Sequence, residues 1–402
     1  MKNSEPSASR AETYEELLPL IDSCKTGKLF EAQDWIRAGK PVNLPAAFKK
    51  KAWQRSPLRF AMDCGFHSLV KVLLEGGAVI DESDYSPLEH AVTMRRFDLV
   101  DLLVKNGAEI SSVGMEAVFD AWNTDIVEYF IDHGSDIETG RPLAHALCSK
   151  IRPALGLLKR YKERFPSFQE QANIALRHHC GEGSLKWVSL MLWAGADPYV
   201  KGPSSPWEES DPEEDNNALE LAALFGHSDI FKLKGLHLDP RHPGTDTLLR
   251  FACHPKEADI LRILLEKGFG PKEQEDRGSS LIEAILSGMS WDWDFNPFSG
   301  YTRQRKNLDK CFCREKIKML HMLVRHGARW EPKNQKEIDF ARSCLLKMTP
   351  DYTMEFIWIM TGYKACSIES IEQLLRTPSI RSLVSSHLPR IGEMMESFKN
   401  SS

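Results

Sequence analysis

One pattern constrains this chain more than any other: an apolar stripe of helical period that ends on a glycine, written repeatedly along the sequence. In FDLVDLLVKNGAEI (97–110) the apolar positions recur every three or four residues, and Asn106-Gly107 then stops the helix. The same phrase appears as FHSLVKVLLEGGAVI (66–80), NTDIVEYFIDHGSDI (123–137), SLKWVSLMLWAGADP (184–198), EADILRILLEKGFGP (257–271) and KIKMLHMLVRHGARW (316–330). In each, the glycine falls seven residues after an aliphatic: Val70, Val100, Val127, Val188, Leu261 and Leu320. Seven residues are two helical turns, so each aliphatic and its neighbours form one buried stripe. The glycine supplies the left-handed backbone that ends the helix.

Upstream of each stripe lies a second, shorter helix signal. SPLRFAMDCG (56–65) and SPLEHAVTMR (86–95) open with a serine cap, place proline at the first helical position, and then space Leu and Ala three apart. Proline is tolerated there because its missing N–H would have had no intrahelical partner. RPLAHAL (141–147), NALELAALFG (217–226), TLLRFAC (247–253) and SSLIEAILSG (279–288) are variants. The small residues Ala61, Ala91, Ala222, Ala252 and Ala284 let paired antiparallel helices approach closely. One such pair cannot bury its own apolar face, so the units must stack.

These motifs resemble the ankyrin repeat family. Its T-P-L-H-x-A pattern appears as Ser56-Pro57-Leu58-Arg59-Phe60-Ala61 and Ser86-Pro87-Leu88-Glu89-His90-Ala91. Its helix corner appears as Gly226-His227-Ser228-Asp229-Ile230, and its closing motif as Gly195-Ala196-Asp197-Pro198. The resemblance implies an all-α ankyrin-repeat solenoid with short hairpin-like fingers and an atypical helical C-terminal cap. The array is expected over 15–334 with insertions at 201–217 and 289–315. It would be flanked by a flexible N-terminus (1–14), cap helices or degenerate repeats (335–398) and a flexible tail (399–402). The unit at 141–170 is degenerate. In the seventh, Gly235 follows Phe231 by only four residues, which predicts a second helix shorter by about one turn.

Composition excludes several classes. The net charge of −5 argues against a dedicated nucleic-acid binder. Nine scattered cysteines read as reduced thiols of a cytoplasmic protein. The polar, acidic first 19 residues are no signal peptide, and no apolar run suggests membrane insertion. No phosphate loop, nucleophile elbow or H-E-x-x-H motif occurs, so no catalytic residue, metal or cofactor is nominated. Cys311-x-Cys313 with His321 and His326 lacks zinc-knuckle spacing, and His178-His179-Cys180 is weaker still.

Function is therefore sought where units differ. KGPSSPWEESDPEEDNN (201–217) leaves the finger side and carries Glu208, Glu209, Asp211, Glu213, Glu214 and Asp215 beside Trp207. The plain reading is a solvated linker. The functional one is an acidic arm that steers a basic protein partner, with Trp207 as anchor. The residues after each repeat leucine vary as a recognition column does: Arg59, Glu89, Glu116, Ala144, Arg177, Glu220, Arg250 and Ile282. Of these, Arg59, Glu89, Glu220 and Arg250 join the arm as partner-binding candidates. The leading reading is an adaptor or regulator that binds a protein through its concave and finger face. The alternative is a nucleotide or nucleic-acid sensor in the second insertion, using Trp291, Trp293, Arg303, Arg305 and Lys306, or an enzyme in the degenerate C-terminal part.

Overall fold

A computed structural model describes residues 9–46, 54–80, 85–211, 215–245, 247–254, 258–271, 277–290, 293–296, 301–304 and 310–400; for 277–280, 288–290, 293–296, 301–304, 310–313 and 398–400 it describes the backbone alone. The chain forms two compact units, Met1–Gln171 and Ala172–Ser402.

The first unit is a succession of helix pairs. They are α1 (Leu18–Thr26) with α2 (Leu29–Arg37), α3 (Pro57–Asp63) with α4 (His67–Glu75), and α5 (Pro87–Thr93) with α6 (Phe97–Lys105). Then follow α7 (Met115–Asp120) with α8 (Thr124–Asp132), and α9 (Pro142–Cys148) with α10 (Pro153–Tyr161). The first helices stack on one another, α1 on α3, α3 on α5, α5 on α7 and α7 on α9; the second helices α2, α4, α6 and α8 do likewise. The boundary between the units falls inside α11 (Ser167–Glu182), which pairs in sequence with α12 (Leu185–Ala194).

The local causes are those the residues announce. The Ser56 and Ser86 hydroxyls accept from the Arg59 and Glu89 backbone N–H groups at 3.2 Å, and Pro57 and Pro87 open their helices. All six aliphatics at the stripe position are buried to 2% exposure or less, and Ala61, Ala91, Ala222 and Ala252 to 0%. Burial of each such Val or Leu side chain is worth about 1.5–3 kcal/mol. Gly107 sits at φ +97°, and the next N–H, of Ala108, returns to the Leu103 carbonyl at 3.0 Å. The glycines closing the other five stripes also have positive φ. Neighbouring fingers are tied through Asn43, whose amide donates to the Gly77 carbonyl and accepts from the Val79 N–H, both at 2.8 Å.

The second unit departs from this rule four times. Helix α11 has 16 residues where α3 and α5 have seven. After α13 (Ala218–Leu224), the second helix shrinks to a 3₁₀ turn at Ile230–Lys232, a larger loss than the one turn expected from Gly235. Next come α14 (Leu248–Ala252), α15 (Asp259–Glu266), and the long pair α16 (Arg277–Ser290) and α17 (Lys310–Arg325). Strands β1 (Trp293–Asn296) and β2 (Tyr301–Gln304) lie between α16 and α17 and pair antiparallel, Trp293 opposite Gln304 and Asn296 opposite Tyr301. Finally, α18 (Gln335–Leu345), α19 (Pro350–Gly362), α20 (Ile368–Leu375), α21 (Pro378–Leu383) and α22 (Leu388–Asn400) continue the packing. Here α18 lies on α16, α19 on α17, α20 on α18 and α22 on α19.

Candidate partner-binding surface

The finger after α12 is built on a buried arginine. Arg177 of α11 is fully buried, and its guanidinium donates to the Pro203 carbonyl at 2.7 Å and the Val200 carbonyl at 3.1 Å. The chain passes so close that a Cβ at Gly202 would lie 2.7 Å from Arg177 Nη2. Glycine is required there for space. A single antiparallel bridge, Gly202 to Asn216, closes the base of the loop.

On the other side the loop runs straight into the cap of α13. Asn217 accepts from the Glu220 N–H and Glu220 accepts from the Asn217 N–H, both at 2.9 Å, a reciprocal capping box. The Thr247 hydroxyl donates to the other Glu220 oxygen, Lys201 Nζ stands 3.7 Å from the oxygen of the capping box, and the Asn217 amide donates to the Gly244 carbonyl at 2.6 Å. Tyr199 stacks on His242 at 4.0 Å; its hydroxyl donates to the His237 carbonyl and accepts from the Asp239 N–H. Burial raises the Tyr199 pKa, so the phenol stays protonated and keeps donating.

Between these two anchored ends the arm reaches solvent. Trp207 is 70% exposed, and Glu208, Glu209 and Asp211 are exposed beside it. Glu208 accepts from the Ser204 N–H and hydroxyl at 3.1 and 3.2 Å, and Asp215 accepts from the Ser210 hydroxyl, so both carboxylates are also braced within the arm. Glu213 and Glu214 lie outside the described residues.

The column after the repeat leucine does not behave as one surface. Glu89, Glu116 and Arg250 are exposed. Arg59 is half-buried and lays its guanidinium over the Tyr85 ring, 4.3 Å from its centroid. Ala144, Arg177, Glu220 and Ile282 are fully buried. Glu220 is thereby corrected as a partner-binding candidate: both its oxygens serve the cap and Thr247 inside the fold. Arg59 and Glu89 stand on the successive, packed helices α3 and α5 of the first unit, and Arg250 on α14 beside α13 in the second.

For the second insertion, Trp291, Arg305 and Lys306 lie outside the described residues. Trp293 and Arg303 fall on the paired strands, opposite Gln304 and Asp294. Cys311 and Cys313 lie in the first turn of α17 and not in a loop. His326 turns back on its own helix, its Nδ1 2.7 Å from the Met322 carbonyl oxygen, and His321 packs edge-on against Trp358 and Tyr363. Glu182, which no reading of the sequence singled out, stands near His178 and His179. Its signal was there: three and four residues is the spacing of one helix face.

Repeated cap, short helix, corner, stripe and left-handed glycine are the features of ankyrin repeats. Residues 20–113 match the family model for ankyrin repeats in three copies. The chain is 37% identical over 87 residues to a putative ankyrin repeat protein of Acanthamoeba polyphaga mimivirus, covering 21% of this chain and 28% of that protein. It is 23% identical over 292 residues to mask-1 of Caenorhabditis elegans, an ankyrin repeat and KH domain-containing protein, covering 68% of this chain and 10% of the other. The chain thus spans less than a third of either relative. The crystal structure of the Bcl-3 ankyrin repeat domain aligns at 18% identity with a TM-score of 0.36, over 50% of this chain and 96% of that domain. Ankyrin repeats are protein–protein interaction modules, and no described helix is long and apolar enough to cross a membrane.

Proposed function

We propose that the chain acts as an adaptor or regulator that recruits a basic protein partner through the 203–215 arm, with Trp207 as the anchor that holds it. The observation that carries this reading is a large exposed indole on an acidic loop whose two ends are fixed by Arg177 and the Asn217–Glu220 box. A loop anchored at its base loses less freedom on binding than a free linker does. Its carboxylates attract a cationic surface before contact, which raises the association rate, while a buried aromatic slows dissociation. The exposed Arg250, on α14 of the same unit, offers a contact of opposite charge for an acidic group of the partner, and the exposed Glu89 and half-buried Arg59 are separate candidate contacts of the first unit. Of the seven cysteines whose side chains are described, all but Cys64 are buried and none forms a disulfide, in keeping with the reducing, cytoplasmic setting proposed here.

The test is affinity capture from native cells with quantitative mass spectrometry, followed by kinetics with the recovered protein. Trp207→Ala should speed dissociation and weaken binding by about thirtyfold, as for a 2 kcal/mol anchor. Neutralising Glu208, Glu209, Asp211, Glu213, Glu214 and Asp215 should slow association and flatten its salt dependence. Equal recovery with both variants would refute the arm. Loss of binding with Arg303, Arg305 and Lys306 changed to alanine, the arm being dispensable, would transfer the role to the second insertion.

A further inference from the structure

Among the described residues, side chains that could ligate a metal converge at the last turn of α11. His178, His179 and Glu182 each present a ligand atom there, and all three atoms lie within 4.8 Å of one another. Glu182 reaches both rings: one oxygen is 3.5 Å from His178 Nε2 and the other 3.5 Å from His179 Nδ1. The spacing i, i+1, i+4 makes this a property of the helix itself, since residues three and four apart share a face. A separation of 3.5 Å is long for an N–H···O hydrogen bond. Each separation is close to the edge, about 3.4 Å, of a tetrahedron of ligands around an ion with bonds of about 2.0–2.1 Å. The two run to different oxygens of Glu182, so the carboxylate turns to bring one oxygen to the ion beside both nitrogens.

The surroundings suit an ion. His179 is fully buried with its ring 5.4 Å from that of Trp187, so its position is held by packing. His178 and Glu182 are partly exposed, with side-chain exposures of 18% and 35%, which leaves a path from solvent. The corner that follows is rigid. His227 Nε2 lies 2.9 Å from the Gly181 carbonyl oxygen, and a Cβ at Gly183 would come within 2.5 Å of His227 Nδ1. Two neutral imidazoles and one carboxylate carry a single negative charge. That donor set favours a borderline divalent ion over the hard, oxygen-seeking calcium and magnesium.

We infer that His178, His179 and Glu182 bind one divalent transition-metal ion of the zinc class, with a fourth position open to water or to a donor from a partner. His178 contributes Nε2, His179 Nδ1 and Glu182 a carboxylate oxygen. The site is independent of the arm and of its partner.

The test is cobalt(II) titration of the chelator-stripped full chain, followed by displacement with zinc. The expected result is uptake of about one ion per chain with the visible bands of a four-coordinate nitrogen and oxygen site, and no thiolate charge-transfer band. His178→Ala and Glu182→Gln, both at partly exposed positions, should each weaken binding at least about tenfold with the helical circular dichroism unchanged. No stoichiometric uptake by the unaltered chain would overturn the inference. So would a thiolate band, which would place the ion on the chain's cysteines, or equal affinity in both variants.

Discussion

The two compact units solve the same packing problem with different side chains. Among the described residues, the buried polar side chains of the first unit are uncharged: Ser23, Asn43, Gln54, Ser56 and Gln171. The second unit buries four ionisable ones completely, Arg177, His179, Glu220 and Lys316. Regular repeats need no such groups. Their Ser-Pro corners and left-handed glycines satisfy helix ends within a few residues, and Gln171 completes the set by accepting from the Leu143 and Ala144 N–H groups at the start of α9. Where the pattern breaks, backbone carbonyls are left over. Arg177 meets those of Val200 and Pro203, and the Lys316 ammonium meets those of Cys253 and His254 at the end of α14. Irregularity in a repeat is compensated by long charged side chains, because a buried carbonyl without a donor costs about 1–3 kcal/mol.

The strongest way to break this comparison is to remove the arginine. Arg177→Met should cost about 3 kcal/mol or more in urea unfolding, since it strands two buried carbonyls and frees the base of the arm. Arg59→Met, in the first unit and half-exposed, should cost under about 1 kcal/mol. Equal effects would mean that Arg177 is no clamp.

Acid should separate the units next. Burial, helped by the Lys316 and Arg250 charges, pushes the His254 pKa down to about 4, so the folded protein resists protonating this ring. The unfolded chain binds that proton below about pH 6.5, and stability is therefore lost as pH falls from there towards 4. At pH 5 the loss from this residue is about 2 kcal/mol. Hydrogen exchange on the full chain should show α14 and its neighbours opening first, and His254→Gln should remove that dependence. A pH response unaltered by His254→Gln would assign it elsewhere.

A matched pair sharpens the contrast at the cap. Glu220→Ala should cost about 1–2 kcal/mol because it dissolves the capping box, whereas Glu89→Ala, at the same position of its repeat but exposed, should stay within about 0.5 kcal/mol. The smallest effect distinguishes the two closing glycines by thermal denaturation. Gly107→Ala should cost about 1 kcal/mol for forcing a side chain into the left-handed region, although nothing crowds it. Gly235→Ala, in open space and outside that region, should cost close to nothing.

The repeat was legible because its determinants are short-range. Val100, Gly107, Ser86 and Ala91 act within two helical turns or on the next helix, and all were found where their spacing put them. The candidate surface was legible only in part. Trp207 and its acidic neighbours announce exposure by composition, but Glu220 looks no different from Glu89 in the sequence, and Arg177 no different from Arg250. At the end of α11 the two histidines were visible as a pair and Glu182 was not, and only their common distance makes the three a candidate site.

What the sequence determined by itself is thus the unit: its period, its caps, its stop and the face each helix buries. These depend on residues a turn or two apart, and helical geometry translates spacing into position directly. The tertiary structure alone decided which members of one repeating column became surface and which became core. Arg177 is buried because Pro203, 26 residues on, arrives over it, and Glu220 because Thr247, 27 residues on, donates to it. Those partners come from loops of irregular length, where no helical period relates separation along the chain to separation in space.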